Sequence, residues 1–302
     1  MAEQFAALAD PGLWRKIAPQ LHVGDGAFSA SQIRPIDFDA TALAAWQADL
    51  KREGYIQLPP LDWGFDVGVF GQGVSALVAA GYLPVFAFMY DEAWCMYARL
   101  RRLIAMTLED GYKIMPAFWA WHVDGVREGA GWAPHRDLGH KTLRPDGRPK
   151  AMTFWLPLTD ATTHNGCMYV LPADRDELYG TSRDHQINVH LQNVRALPAA
   201  AGSVLAWTQA LFHWGSRARN PIGGPRISIS VEFQRGDEMP IYEPLLDPGE
   251  MPDPAMRLRL ILRQVLQYQH MYPAPPAIRA MAEAMAFKSG PTPAFLETLK
   301  AK

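Results

Sequence analysis

The middle of the chain, from about residue 112 to residue 236, is a series of short apolar segments bounded by Gly, Pro, Asn and Asp. Five segments have the length and the aromatic or β-branched content of strands: PAFWAWHV, AMTFWLPL, CMYVLP, SVLAWT and RISISVEF. The 25 prolines are spread along the whole chain, which argues against a helical bundle. Short strands joined by turns favour a jelly-roll or a sandwich, so we predict a mainly β core.

The regions on both sides of these strands have the apolar spacing of helices. Residues 40–54 and 91–111 carry apolar residues every three or four positions, and each segment ends at a glycine that can stop a helix. Asp91 stands where it can cap the second of these helices. After the strands, residues 253–270 and 276–287 return to helical spacing. We therefore expect helices to flank the β core.

The predicted elements favour a single domain over residues 1–302, because neither helical flank resembles an independent core. In this interpretation residues 1–111 form a mostly helical N-terminal flank and residues 112–236 form the jelly-roll core. Residues 237–302 form a helical C-terminal flank that supports the sheet.

The charge and the cysteine content limit the expected partners and compartment. The net charge is -2 and no block of like charges stands out, so we expect neither nucleic acid nor a membrane as a partner. Cys95 and Cys167 are too few for a disulfide framework. The N-terminus lacks the charged head and apolar run of a signal peptide, and no apolar segment is long enough to cross a bilayer. We expect a cytoplasmic protein.

The segment GWAPHRDLGH places His135 and Asp137 two residues apart. In an extended segment residues i and i+2 point the same way, so both side chains can face one ion. His213 lies 76 residues beyond Asp137 (213 minus 137) and follows a predicted strand, which lets it converge on the pair in a jelly-roll. Two histidines and one carboxylate form the facial triad of non-haem Fe(II) oxygenases.

Other interpretations of these residues stay open at this point. The H-x-D pair could be a surface turn in which Asp137 caps a helix or pairs with Arg136, and His213 could be a packed core histidine. His140 is a rival third ligand because it lies close to the pair in sequence.

The segment PRISISVEF alternates strictly between polar and apolar residues. Its polar face begins 13 residues after His213 (226 minus 213) and could line a site instead of facing water. Arg226 offers a fork of donors for a carboxylate, and Ser228 adds a hydroxyl. Alternatively, Arg226 could form a structural salt bridge with Glu232 or another acid, and Ser228 could be an ordinary strand residue.

Taken together and in order, these motifs resemble the phytanoyl-CoA dioxygenase-like family of Fe(II)/2-oxoglutarate oxygenases. The resemblance rests on H-x-D, FWLPLTDATTHNGCMYVLP, AGSVLAWTQALFHWGS and R-x-S, and it covers roughly residues 112–236. It implies a double-stranded β-helix, that is, a cupin-like jelly-roll core.

The resemblance also implies roles for individual residues. His135, Asp137 and His213 would bind Fe(II), and Arg226 would bind the distal carboxylate of the co-substrate 2-oxoglutarate, with O2 as the second co-substrate. Three further positions would assist in binding 2-oxoglutarate: Ser228 beside Arg226, Trp155 as an aromatic wall of the pocket, and His122 as a polar contact. On its own, His122 could equally be a core histidine.

The reaction implied by the resemblance is hydroxylation of a small organic molecule, a natural product or a catabolic intermediate, with release of succinate and CO2. Related halogenases have a small residue at the position of Asp137, so the carboxylate favours hydroxylation, desaturation or cyclisation over halogenation. Two alternatives are a non-redox metal-dependent jelly-roll enzyme, such as an isomerase or hydrolase, and a non-catalytic protein that binds iron and 2-oxoglutarate.

Two features bear on the substrate. The loop at residues 139–150 is basic, and as a lid it would favour an anionic substrate, whereas a solvated loop would have no such role. The aromatic content of the chain would also suit a hydrophobic substrate.

By strand alternation Trp119 and Trp121 share a face opposite His122, and we expect these tryptophans to pack outward against helices.

Overall fold

The structure of the protein, a computed structural model, describes residues 2–28, 33–124, 132–218 and 224–300. Within these residues the strands form two antiparallel sheets. In chain order the strands are β1 (Tyr55–Leu58), β2 (Lys113–Val123), β3 (Ala151–Pro157), β4 (Met168–Leu171), β5 (Arg195–Leu197), β6 (Val204–Thr208), β7 (Phe212–Gly215) and β8 (Arg226–Gln234). The larger sheet has the order β1-β6-β3-β8-β2, and the smaller sheet has the order β5-β4-β7.

The two sheets face each other across an apolar layer. Trp155 and Leu205 of the larger sheet belong to the same buried cluster as Val170 and Leu197 of the smaller sheet. Each pair of hydrogen-bonded neighbours runs antiparallel, and β6 and β7 cross from one sheet to the other through a short turn. The prediction of a jelly-roll core with flanking helices is confirmed.

Helices cover the outer face of the larger sheet. They are α1 (Ala2–Ala9), α2 (Pro11–Ile17), α3 (Ala40–Glu53), α4 (Val67–Ala79), α5 (Asp91–Arg99), α6 (Arg101–Leu108), α7 (Pro254–Gln267), α8 (Pro276–Met285) and α9 (Pro293–Lys300). The main apolar cluster joins Trp14, Phe70 and Leu262 of the helices to Phe154 and Val231 of the sheet. The N-terminal and C-terminal helical flanks therefore both pack on the larger sheet. That residues 1–302 form a single domain stays a prediction. No helix of the described residues is long and apolar enough to span a membrane.

Strand β8 follows its sequence pattern closely. Ile227, Ile229 and Phe233 lie in the main apolar cluster on the helical side of the larger sheet. Arg226 and Glu232, on the other face, line a cavity between the two sheets. Both faces are thus covered, one by apolar packing and the other by a polar cavity. The predicted alternation is confirmed, and so is the expectation that its polar face lines a cavity.

The helix predicted over 91–111 is in fact two helices. α5 and α6 are separated at Leu100, and α6 ends at Leu108 rather than at a glycine. Asp91 does not cap α5 with its side chain, because its carboxylate forms a buried ion pair with Arg257 at 2.5 Å. A buried arginine needs a charged partner more than a helix end needs a cap, so the ion pair determines the orientation of Asp91.

Three strands escaped the sequence prediction. β1 has four residues and β5 three, which is too short for a clear alternation. β1 lies in the flank predicted to be mostly helical, yet it forms an edge of the larger sheet beside β6. β7 is also four residues long, and it follows the predicted strand β6 after a tight turn. The sequence analysis therefore predicted that His213 follows a strand, whereas it lies on β7.

Candidate metal centre

Three side chains meet at the end of β7, where the loop containing the H-x-D pair docks on the smaller sheet. The backbones of His135 and His213 exchange two hydrogen bonds, N–H to O=C, of 3.0 and 2.9 Å. This isolated bridge sets the two imidazoles side by side, with ring centroids 4.5 Å apart. One ligand atom from each of His135, Asp137 and His213 lies within 4.8 Å of the others.

The hydrogen bonds of the two imidazoles determine which nitrogen is available. His135 Nδ1 lies 2.7 Å from the carbonyl oxygen of Ala133, and His213 Nδ1 lies 3.0 Å from that of Leu211. Since a carbonyl oxygen only accepts hydrogen bonds, each Nδ1 carries the hydrogen. In the neutral imidazole each Nε2 is then an unprotonated lone-pair donor, which is the form that binds a metal.

Asp137 completes the group and is held by neutral donors. Its Oδ1 lies 3.4 Å from His135 Nε2 and 3.6 Å from His213 Nε2. Its Oδ2 accepts hydrogen bonds from Thr153 Oγ1 at 2.8 Å and from Trp207 Nε1 at 3.1 Å. One carboxylate oxygen therefore faces the two imidazole nitrogens, and the other oxygen fixes the orientation of the group.

The protonation states of His213 and Asp137 suit metal binding. Burial lowers the pKa of His213 to about 4, so this imidazole is neutral at neutral pH. Burial alone would raise the pKa of Asp137, but the His213 charge and the hydrogen bond and charge of His135 outweigh it and hold the pKa well below its usual value. For His135, burial lowers the pKa, yet the hydrogen bond and charge of Asp137 leave it raised overall. Two imidazole nitrogens and an ionised carboxylate are the donor set of the facial triad, so these residues fit a non-haem iron ion.

Arg226 supplies a positive charge to the same cavity. Its side chain is almost fully buried, Nη1 donates to Ser228 Oγ at 3.1 Å, and the guanidinium carbon lies 5.8 Å from the ring centroid of Trp155. Burial lowers the pKa of Arg226 to about 10, which leaves it charged at neutral pH. Among the described residues, its Nε has no hydrogen-bond partner and no carboxylate pairs with it. The alternative salt bridge with Glu232 is not formed.

Trp155 and Ser228, two of the other residues predicted to bind 2-oxoglutarate, are both buried near Arg226. Trp155 is buried and lines the cavity, as expected for an aromatic wall. Ser228 is buried beside the guanidinium of Arg226, to which it acts as acceptor. Whether these two side chains contact the co-substrate stays a prediction.

The structure contradicts the role predicted for His122. In the register of β2 and β8, His122 lies opposite Ile227, on the face that packs against helices. Its Nε2 lies 3.3 Å from Ser75 Oγ of α4, so the side chain points away from the cavity.

The register of β2 and β8 also shows that the prediction for Trp119 and Trp121, which was outward packing against helices, is wrong. They lie opposite Ser230 and Ser228 and line the cavity between the sheets. Because both faces of β2 are covered, alternation alone did not reveal which face was the inner one.

The rival ligand and the basic loop have other partners. His140 is outside the ligand group, and its Nδ1 lies 3.1 Å from Asp184 Oδ1. In the loop, Arg144 pairs with Glu238 at 3.3 Å and Arg148 with Asp146 at 2.8 Å. These basic side chains are neutralised by neighbouring acids, which favours the interpretation of a structural loop over a basic lid.

Several residues that line the cavity had no role predicted from the sequence, among them Trp132, Tyr268 and Glu232. Trp132 lies just before the H-x-D pair, and its ring is tilted against that of His135 at a centroid distance of 5.3 Å. Tyr268 follows α7, far from the motifs in sequence, and no local signal points to it. Glu232 lies on the same face of β8 as Arg226, so the alternation of this strand could have identified it.

Comparisons with known proteins agree with this geometry. The family model of phytanoyl-CoA dioxygenase (PhyH) matches residues 80–226. The match starts earlier than the predicted 112, because it includes α5 and α6. No curated protein matches the chain.

Solved structures share the fold at low sequence identity. One is the epimerase SnoN in complex with Fe3+, alpha ketoglutarate and nogalamycin RO, with 18% identity, a TM-score of 0.52, and coverage of 68% of this chain and 88% of that chain. Another is the non-heme monooxygenase ThoJ in complex with Ni, with 15% identity, a TM-score of 0.50, and coverage of 70% and 86%. The predicted resemblance is confirmed: residues 80–226 of this chain match the family model of phytanoyl-CoA dioxygenase.

Proposed function

We propose that the protein is an Fe(II)- and 2-oxoglutarate-dependent oxygenase that hydroxylates a small organic molecule. In this reaction one oxygen atom of O2 enters the substrate and the other enters succinate, with loss of CO2 from 2-oxoglutarate. The observation that supports it most is the combination of a His-Asp-His group with a buried arginine that has no acidic partner, both on one cavity. The match to the phytanoyl-CoA dioxygenase family model over residues 80–226 supports the same assignment.

In this proposal His135, Asp137 and His213 hold iron through two Nε2 atoms and one carboxylate oxygen. Iron bound there supplies the redox chemistry that couples the reduction of O2 to the decarboxylation of 2-oxoglutarate. Thr153 and Trp207 keep the Asp137 carboxylate ionised and oriented by their hydrogen bonds. The backbone bridge between the two histidines keeps their nitrogens at a fixed separation.

Arg226 would bind the distal carboxylate of 2-oxoglutarate. A buried guanidinium with an unpartnered Nε offers a charge-assisted hydrogen bond that no described residue satisfies. Trp155 packs against the guanidinium and would exclude water from the ion pair. The structure of SnoN in complex with Fe3+ and alpha ketoglutarate, which has a similar fold, is consistent with this proposal.

A non-redox metal enzyme, such as an isomerase or a hydrolase, would have no use for a buried arginine directed at an anionic co-substrate. A non-catalytic binding protein would retain the arginine, but it would not release succinate in the presence of oxygen. Hydroxylation is distinguished from epimerisation by the product, since only hydroxylation adds the mass of one oxygen atom to the substrate.

The first experiment is an anaerobic titration. Fe(II) and then 2-oxoglutarate are added to the metal-free protein, and the visible spectrum is recorded. We expect a weak metal-to-ligand charge-transfer band that is absent in His213→Ala and weakened in Arg226→Ala. Arg144→Ala, which removes a guanidinium outside the cavity, serves as the control and should retain the band. Iron bound without any band would contradict the oxygenase assignment and favour a non-redox metal enzyme.

A further inference from the structure

Glu232 is an acidic residue of the cavity that the proposed chemistry does not use. It lines the same cavity as the metal-ligand group, but it is outside that group. It lies six positions after Arg226 on the same face of β8, which corresponds to about 20 Å of strand. The cavity therefore has a cationic end and an acidic end.

The metal-ligand group lies toward the acidic end. Glu232 is opposite Thr153 in the register of β3 and β8, and Thr153 donates the hydrogen bond to Asp137. A co-substrate held between the metal ligands and Arg226 would extend away from Glu232. The space beside Glu232 would then be left for the substrate.

One oxygen of the Glu232 carboxylate is held in place and the other is available. Gln209 Nε2 donates to Oε2 at 2.7 Å, and the main-chain oxygen of Gln209 accepts from Leu138 and Gly139, next to the H-x-D pair. Among the described residues, Oε1 has no hydrogen-bond partner, and no lysine or arginine forms an ion pair with the carboxylate. The buried Arg263 acts on it only through space, since its hydrogen bonds go to main-chain carbonyls and to Gln267. Burial and the Asp137 charge raise the pKa of Glu232 to about 8, so this carboxyl is mostly protonated at neutral pH while no cation is bonded to it. A bound ammonium group would favour the ionised carboxylate.

Aromatic rings stand beside this carboxylate. Tyr268 is close enough for the charge of Glu232 to contribute, after burial, to the raised pKa of its hydroxyl. The Tyr268 ring contacts those of Trp119 and Trp132 edge-on, at centroid distances of 4.8 and 5.2 Å. An unpaired carboxylate with aromatic walls is the combination that binds organic cations, because the rings attract a positive charge and the carboxylate accepts its hydrogen bond.

We propose that Glu232 is a specificity-determining residue that accepts a hydrogen bond from an ammonium group of the substrate. This rests on the proposed function, which assigns the opposite end of the cavity to 2-oxoglutarate. The substrate class is accordingly an amine that is protonated at neutral pH, bound with its charge at Glu232 and its hydrocarbon part along Trp119, Trp132 and Tyr268.

The test measures the binding of three probes of similar shape to the protein loaded anaerobically with Fe(II) and 2-oxoglutarate. The probes are benzylammonium, benzyl alcohol and benzoate, and binding is measured by calorimetry. We expect the wild-type protein to bind benzylammonium at least tenfold more tightly than either of the others, as a charge-assisted hydrogen bond implies. In Glu232→Gln this preference should disappear. In Glu238→Gln, whose acid pairs with Arg144 outside the cavity, the preference should persist.

The charge-transfer band is recorded for every sample, so the two proposals can fail separately. If the wild-type protein forms no band, the proposed function fails. If the band forms but benzyl alcohol binds as tightly as benzylammonium, or benzylammonium does not bind, the role of Glu232 is overturned. Equal binding of benzylammonium by the wild-type protein and Glu232→Gln would overturn it too. Should Glu232→Gln not fold, Glu232→Asp keeps the charge on a shorter side chain and should retain the preference for the ammonium probe.

Discussion

Replacing Arg226 by methionine should stabilise the fold and abolish the binding of 2-oxoglutarate. The guanidinium is almost fully buried, with one hydrogen bond to Ser228 and an unpartnered Nε. Burial lowers its pKa from the ordinary value of a guanidinium to about 10. The pKa is thus lowered by about 2.5, and a change of one in pKa corresponds to 1.36 kcal/mol. Burying the charged side chain therefore costs about 3 kcal/mol of folding free energy.

Methionine removes this cost, but it also loses the bond to Ser228 and leaves some empty volume. We therefore expect a net gain of about 1–2 kcal/mol in the free energy of unfolding of the metal-free protein. For a chain of this size, the melting temperature should rise by about 2–4 °C for each kcal/mol. A buried, unpaired charge is thus expected to be kept for function at the expense of stability.

The assay is thermal unfolding under anaerobic conditions, with Fe(II) present and with or without 2-oxoglutarate. A ligand at about 100 times its Kd should stabilise the wild-type protein by about 2.7 kcal/mol. The same concentration should leave the melting temperature of Arg226→Met unchanged, because the anchor for the distal carboxylate is gone.

Arg263→Met is the matched control. Arg263 is also fully buried, but it donates to the carbonyl of Lys288 at 2.9 Å, to Gln267 Oε1 at 2.8 Å and to the carbonyl of Pro116. Its removal leaves buried acceptors without donors and should destabilise the protein. The reasoning is refuted if Arg226→Met loses as much stability as Arg263→Met, or if 2-oxoglutarate still raises its melting temperature.

Three further predictions follow from hydrogen bonds and charges near the site and in the core. Thr153→Val removes a donor to Asp137 and should weaken Fe(II) binding about 10- to 100-fold in a chelator competition, whereas Thr153→Ser should not. Asp91→Ala leaves the buried Arg257 without its partner and should lower the free energy of unfolding by about 3–5 kcal/mol in a denaturant titration; a loss below 1 kcal/mol would contradict this. The pKa of Glu232 is raised from 4.5 to about 8, so its contribution to stability is present below pH 4.5 and is lost as the pH rises through 8. Parallel unfolding of metal-free wild-type protein and Glu232→Gln should show this loss only in the wild type.

The elements that could be predicted from the sequence are those whose pattern is local. β8 alternates strictly, and α3 and α7 have a regular apolar spacing and an aspartate at the N-cap. The H-x-D pair and the R-x-S segment are likewise read within a few residues. His213 is different, because it approaches His135 only after the chain has passed from β6 in the larger sheet to β7 in the smaller sheet. Only the order of the motifs along the chain indicated this proximity.

The errors come from properties that are not local. The inner and outer faces of β2 are both covered, so the sequence does not indicate that Trp119 faces the cavity and His122 faces α4. Asp91 has a favourable position for a cap, but its partner Arg257 is 166 residues away. Tyr268 reaches the cavity from a helix whose position relative to the sheet depends on packing of the whole core.

The backbone bridge between His135 and His213 has a consequence for how this fold can diversify. It joins two residues that are 78 positions apart (213 minus 135), and the segment between them contains the loops that follow the H-x-D pair and β4. Because the two hydrogen bonds are made by the ligand residues themselves, the separation of the imidazoles does not depend on the length of those loops. Insertions and deletions there can change those loops while the spacing of the two nitrogens stays constant. A scaffold with this property can acquire new substrates without rebuilding its metal centre.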